Sequence, residues 1–85
     1  GGCTAVNSGS KMHLTHVLVD FNGAKNQAGI EKNGINFDTG TSGSVTNCTS
    51  ANNTGSGYYC NSATVSITSL TSGESQGNTL ADVTC

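Results

Sequence analysis

Arginine is absent from this 85-residue chain, and Lys11, Lys25 and Lys32 are its only strong cations. A surface that neutralises phosphates needs clustered lysine or arginine, so no nucleic-acid partner is expected. No apolar run approaches the ~20 residues that a membrane-crossing helix requires, and no membrane span is expected either. Aromatic side chains are limited to Phe21, Phe37, Tyr58 and Tyr59. That scarcity argues against a carbohydrate binder built on stacking platforms, and it implies a thin core. Domains of this size often draw only about 3–5 kcal/mol from their core, so covalent staples are expected. There is no C-x-x-C pair, which speaks against a zinc ribbon and against a thioredoxin-like redox site.

Four cysteines are present, Cys3, Cys48, Cys60 and Cys85. An even number at wide spacing suits a disulfide framework made in an oxidising compartment. Of the three pairings, the sequence favours Cys48–Cys60, which closes a short polar loop, together with Cys3–Cys85, which ties the chain ends. On the chain-entropy model such loops are worth about 3 and about 4.5 kcal/mol. The acids Asp20, Glu31, Asp38, Glu74 and Asp82 bring the net charge to −2. Solubility must therefore come from Ser, Thr, Asn and Gly, a common habit of extracellular proteins. A secreted protein is expected, in a mature or trimmed form opening on Gly1-Gly2. Sequons at Asn47 and Asn52 mark a surface loop more safely than a sugar.

Length allows one domain spanning residues 1–85. Residues 1–11 read as a polar lead-in. Met12 to Phe21 is the strongest ordered segment, with Val17, Val19 and Phe21 on one face and Leu14 and Leu18 on the other, as in a central strand. Ala24 to Asn33 reads as a helix capped by Asn22 and ended by Gly34; the alternative is a hairpin turning at Asn33-Gly34. Residues 39–57 look mostly like loop, with a short strand around Val45. Tyr58 to Leu70 is the second clear strand, and Thr79 to Cys85 a short terminal one. No internal repeat stands out. The expected fold class is α+β: a small antiparallel sheet with one or two short helices and two disulfides, with an all-β sandwich as the alternative.

The residues that could carry chemistry are few. His13 and His16 stand three apart on a strand and so point to opposite faces, which makes them ordinary strand residues before metal ligands. Asp20, Asn22 and Glu31 imitate a calcium loop, but Ala24 and Lys25 occupy positions where a ligand and the turn glycine belong. Serines are plentiful, yet none lies in a Gly-x-Ser-x-Gly elbow. Tyr58 and Tyr59 face opposite ways, leaving at most one for a ligand. The row Thr64, Ser66, Thr68 has the form of an ice-binding face, although one short row is ordinary for a solvated strand. No catalytic residue, metal ligand or cofactor is expected, and the chain reads as a monomer that is not an enzyme.

A cysteine near the start, another at the last residue, two between them, and a proline-free body rich in Gly, Ser, Thr and Asn resemble the small secreted effectors of plant-associated fungi. The inferred order of strand, helix and strands is similar to the α/β-sandwich killer toxins encoded by smut-fungus viruses. This resemblance implies a non-enzymatic extracellular module that binds a host or microbial target; its contact surface is not placed by the sequence, and loops 39–57 and 71–78 are the candidates. Small fungal guanyl-specific ribonucleases offer a second likeness, with His13 or His16, Glu31 or Glu74, and Tyr58 or Tyr59 as candidate catalytic groups. Their phosphate-binding arginine has no counterpart here, so this likeness implies an inactive domain. A cell-wall or surface-associated module is the third reading.

Overall fold

The computed structural model describes residues 2–23, 32–72 and 77–80. Every strand pair within them is parallel. One sheet contains β1 (Cys3–Ala5), β4 (Ile35–Phe37) and β6 (Tyr58–Cys60) in the order β1-β4-β6. The other is built around β5 (Ser42–Ala51), which receives β2 (Lys11–Thr15) and β3 (Leu18–Asp20) on one edge and β7 (Thr64–Thr71) on the other. The chain therefore winds through three stacked rungs, each passing through the first sheet and then the second. This is a short parallel β-solenoid. Parallel neighbours need a long crossover, and here each crossover is the rest of a rung.

Register makes the repeat explicit. Ile35 lies against Cys3 on one side and Tyr58 on the other. Val45 lies between Leu14 and Ile67 in the same way. Side chains alternate inward and outward, as a strand requires. The inward columns Met12/Gly43/Val65, Leu14/Val45/Ile67 and Val17/Cys48/Leu70 face the first sheet, where Ala5, Phe37 and Cys60 form a further column. Phe37 and Tyr58 pack with ring centroids 6.4 Å apart and planes tilted by 52°. Ile35, Phe37, Val45 and Cys60 are wholly buried.

The corners follow one rule: residues in the left-handed region stack on each other. Gly9, Gly40 and Ser62 form one corner, with Gly9 N donating to Gly40 O and Gly40 N to Ser62 O. His16, Asn47 and Ser69 form the second, at φ of 54°, 51° and 58°. It divides β2 from β3 and bends the long strands of the next two rungs. Phe21, Asn52 and Gly77, all at positive φ, stand at the third. Each is followed by an asparagine, and those asparagines are bonded in series. Asn22 donates to Asn53 Oδ1 from its backbone N at 3.0 Å and from Nδ2 at 2.9 Å. Asn53 donates to Asn78 Oδ1 in the same two ways, at 2.9 and 2.7 Å. Asn78 Nδ2 donates to Ser50 O at 2.8 Å. Gly34 lines this polar column: a Cβ there would fall 2.0 Å from Ser50 Oγ and 2.6 Å from Asn53 Nδ2.

Several expectations are corrected. The fold is not α+β, because the regular structure of the described residues is strand with essentially no helix, and its sheets are parallel instead of antiparallel. Nor is it a sandwich of the α/β or all-β kind, since successive strands climb a coil. Asn33-Gly34 is not a hairpin turn; Gly34 N donates to Ser56 O in the next rung. Most of the expected helix, residues 24–31, and most of the terminal strand, residues 81–85, lie outside the described residues. The supposed loop 39–57 contains β5, the central and longest strand. A repeat does exist: Ser42 matches Thr64, 22 positions on, although the two rungs share few residue identities.

The expected disulfide pairing is overturned as well. Cys3 and Cys48 are free thiols, so neither Cys3–Cys85 nor Cys48–Cys60 forms, and no disulfide joins two described residues. Cys60 is itself disulfide-bonded and is not available to Cys48, whose Sγ donates to Thr46 O instead.

If the asparagine series locks the third corner, Asn53→Ala will orphan buried donors and acceptors on both neighbours. Each such group costs about 1–3 kcal/mol, so urea titration should show the midpoint falling by a large part of the total stability. An unchanged midpoint would mean that the series is incidental.

Candidate binding face

The outward side of the second sheet carries three columns across the three rungs. They are Lys11/Ser42/Thr64, His13/Ser44/Ser66 and Thr15/Thr46/Thr68. Seven of these nine positions are serine or threonine, because outward residues on a solvated strand must be polar and β-branched threonine suits the pleat. Neighbouring rungs stand about 4.8 Å apart, and alternate residues along a strand about 6.6 Å apart. The result is a grid of short hydroxyl side chains on a fixed backbone. Beyond the second corner, Thr49 and Thr71 continue it beside Leu18.

Thr64, Ser66 and Thr68, a single row in the sequence, are thus the third row of an array. The signal that was missed is the pair of matching rows at 42–46 and 11–15, hidden by the unequal spacing of the rungs. Lys11, His13, Thr15 and the third-row residues are exposed, and the middle row is half-buried between them. His13 Nδ1 lies 2.8 Å from Ser44 Oγ, a hydrogen bond that joins the first two rows. Serine and histidine at this distance are the beginnings of a nucleophile and its base. Among the described residues, no carboxylate is bonded to His13 to orient it.

The other candidate residues are scattered. His16 occupies the second corner and is exposed, away from any shared site with His13. Tyr58 is 1% exposed and belongs to the core, where burial pushes its phenol up from the ordinary value. Tyr59 lies half-buried on the outer side of the first sheet. The histidines and tyrosines of the ribonuclease likeness are therefore on different sheets, and Glu31 and Glu74 lie outside the described residues. Asp20, a member of the calcium-like motif, accepts from Asn52 Nδ2 at 2.9 Å and so bridges two rungs. Among the described residues, no group of three or more His, Cys, Asp or Glu could hold a metal ion. No described helix is long and apolar enough to cross a membrane. Asn47 and Asn52, the two sequon asparagines, are exposed corner residues. Compared with known protein families, curated proteins and solved structures, the chain matches none.

The free thiols differ in access. Cys48 is 1% exposed, and its Sγ donates to Thr46 O at 3.4 Å. Cys3 is half-buried, and burial, with a smaller push from the neighbouring Cys48, raises its thiol above the ordinary value. Since the thiolate is the reactive form, alkylation of Cys3 in the native protein should be slow and should keep accelerating with pH beyond the ordinary thiol range. Cys48 should be labelled only on unfolding. Mass spectrometry of the time course decides this; immediate labelling of Cys48 would contradict its placement in the core.

Proposed function

We propose that this protein is a non-enzymatic extracellular binding module of the effector or surface-associated kind, and that its contact surface is the grid of Ser and Thr on the second sheet. The observation that carries the reading is the regularity of that grid, with seven hydroxyl side chains at strand-fixed spacing. A hydroxyl both donates and accepts, as do the hydroxyls of a polysaccharide, and a repeating ligand can meet a repeating surface at several points at once. Each contact is weak, about 0.5–1.5 kcal/mol, so binding depends on several acting together. The ligand class is therefore a repeating, uncharged, hydroxyl-rich polymer such as a cell-wall glycan. The scarcity of aromatics is less of an objection for such a face, because it does not rely on ring stacking. The polar, low-charge composition and the scarcity of lysine and arginine support the secreted setting.

A second reading is an ice-binding face. It is favoured by the Thr15/Thr46/Thr68 column, which aligns three methyl and hydroxyl pairs across the rungs. Lys11 and His13, ionisable groups within the same grid, favour the glycan.

Adsorption of the purified protein to chitin, β-glucan and cellulose tests the first reading, and ice shaping with thermal hysteresis tests the second. Thr46→Val keeps the shape and β preference of the central residue but removes its hydroxyl. It should weaken glycan adsorption about 2–10-fold at an unchanged Tm. Failure of the parent protein to adsorb to any of the three polymers would overturn the proposal.

A further inference from the structure

We infer that Asn22 is a site of spontaneous modification, at which the chain converts a side-chain amide to a carboxylate and so opens the first link of the asparagine series. The sequence contains two Asn-Gly pairs, Asn22-Gly23 and Asn33-Gly34. Such a pair is prone to cyclise, because glycine has no side chain to shield its backbone nitrogen. That nitrogen attacks the asparagine Cγ and a C–N bond forms. The side-chain amide group departs, taking the glycine N–H proton with it as ammonia. Water then opens the five-membered succinimide at either carbonyl. One product is aspartate; the other, in which the original backbone bond has broken, is a β-linked isoaspartate. Water is the only co-reactant.

The two pairs are chemically alike and structurally opposite. Asn33 is 5% exposed. Its Oδ1 accepts from Ser56 N at 2.9 Å, and its Nδ2 donates to Asn36 Oδ1 at 3.2 Å. The attacking atom is held too, since Gly34 N donates to Ser56 O at 2.9 Å. Cyclisation there must wait for the rung to open. Asn22 and Gly23 are half-buried instead, and among the described residues Gly23 N donates to no acceptor. Asn22 also heads its series. Asn53 Oδ1 is occupied by two donors from Asn22, and Asn78 Oδ1 by two from Asn53. Asn22 Oδ1 has no such donors among the described residues. Its side chain is held only through Nδ2, by Asn53 Oδ1 at 2.9 Å and Asp20 O at 3.3 Å, and Nδ2 is the atom that leaves. The fold itself keeps glycine in the reactive pair. Gly23 has φ of +86°, and a Cβ there would fall 2.8 Å from Lys32 Cα. After the reaction residue 22 has no amide donor left, and its carboxylate faces Asn53 Oδ1, an acceptor. Isoaspartate also lengthens the backbone at the third corner.

Peptide mapping of the purified protein, aged at mildly alkaline pH, tests the inference. Asn22 should gain one mass unit at least about 10-fold faster than Asn33, whose reaction depends on local opening. In concentrated urea with a reductant the two should react alike. The aged fraction, separated by ion exchange, should unfold at a lower urea concentration than the parent, and Asn22→Asp should shift the midpoint in the same direction. Equal rates at Asn22 and Asn33 in the native protein would overturn the inference. So would an Asn22 that stays intact while the unfolded chain reacts, or an aged fraction as stable as the parent.

Discussion

A chain that turns through a coil must bury backbone and side-chain polar groups at its corners, and each of them needs a partner. At the third corner that need is met by asparagine. A side-chain carbonyl accepts both the backbone and the side-chain N–H of the asparagine one rung earlier, so Asn22, Asn53 and Asn78 specify which residues lie above one another. Much else follows from that alignment. With Asn53 over Asn78, Ser50 and Gly34 are drawn into the same polar layer, and the strands leaving the corner are fixed in register. The apolar columns then meet like with like.

This arrangement explains how so thin a core can hold together. Val45, Cys48, Phe37 and Ile35 are enough because each is covered from both sides along its column. The described residues contain no cystine joining two of them, and the buried amide series ties the rungs together at the third corner. Such a network is stabilising only when its members are satisfied. Among the described residues, Asn36 Nδ2 is the exception, a buried donor with no hydrogen-bond partner there. Asn36 Oδ1 accepts from Asn33 Nδ2 at 3.2 Å.

Part of this was legible in the sequence. Alternation at 12–21 and 58–70 marked extended chain, but neither is the single strand expected: 12–21 forms β2 and β3, which flank the central β5, and 58–70 forms β6 and β7 on different sheets. Opposite orientations of Tyr58 and Tyr59 followed from the same rule. The parallel coil was not legible because its period is irregular: β2 and β5 are offset by 31 residues, β5 and β7 by 22. The recurring signal is conformational, a left-handed residue followed by asparagine, and its three instances Phe21-Asn22, Asn52-Asn53 and Gly77-Asn78 share only the asparagine. In isolation Gly34 reads as a helix stop, whereas it is required by the close approach of Ser50. The wide cysteine spacing suggested staples because loop length says nothing of which sheet each cysteine occupies. For the binding face, one row of hydroxyls was visible, but the array needed the fold.

The most direct test of three parallel rungs is the pattern of methyl contacts around Val45. In a methyl-labelled sample, nuclear Overhauser spectroscopy should connect Val45 to both Leu14 and Ile67, which flank it in register at about 4.8 Å between rungs. Contacts to both would establish the coil and the columns on which the face depends. Absence of either contact, or cross-peaks running in antiparallel order between 42–46 and 64–68, would contradict the solenoid.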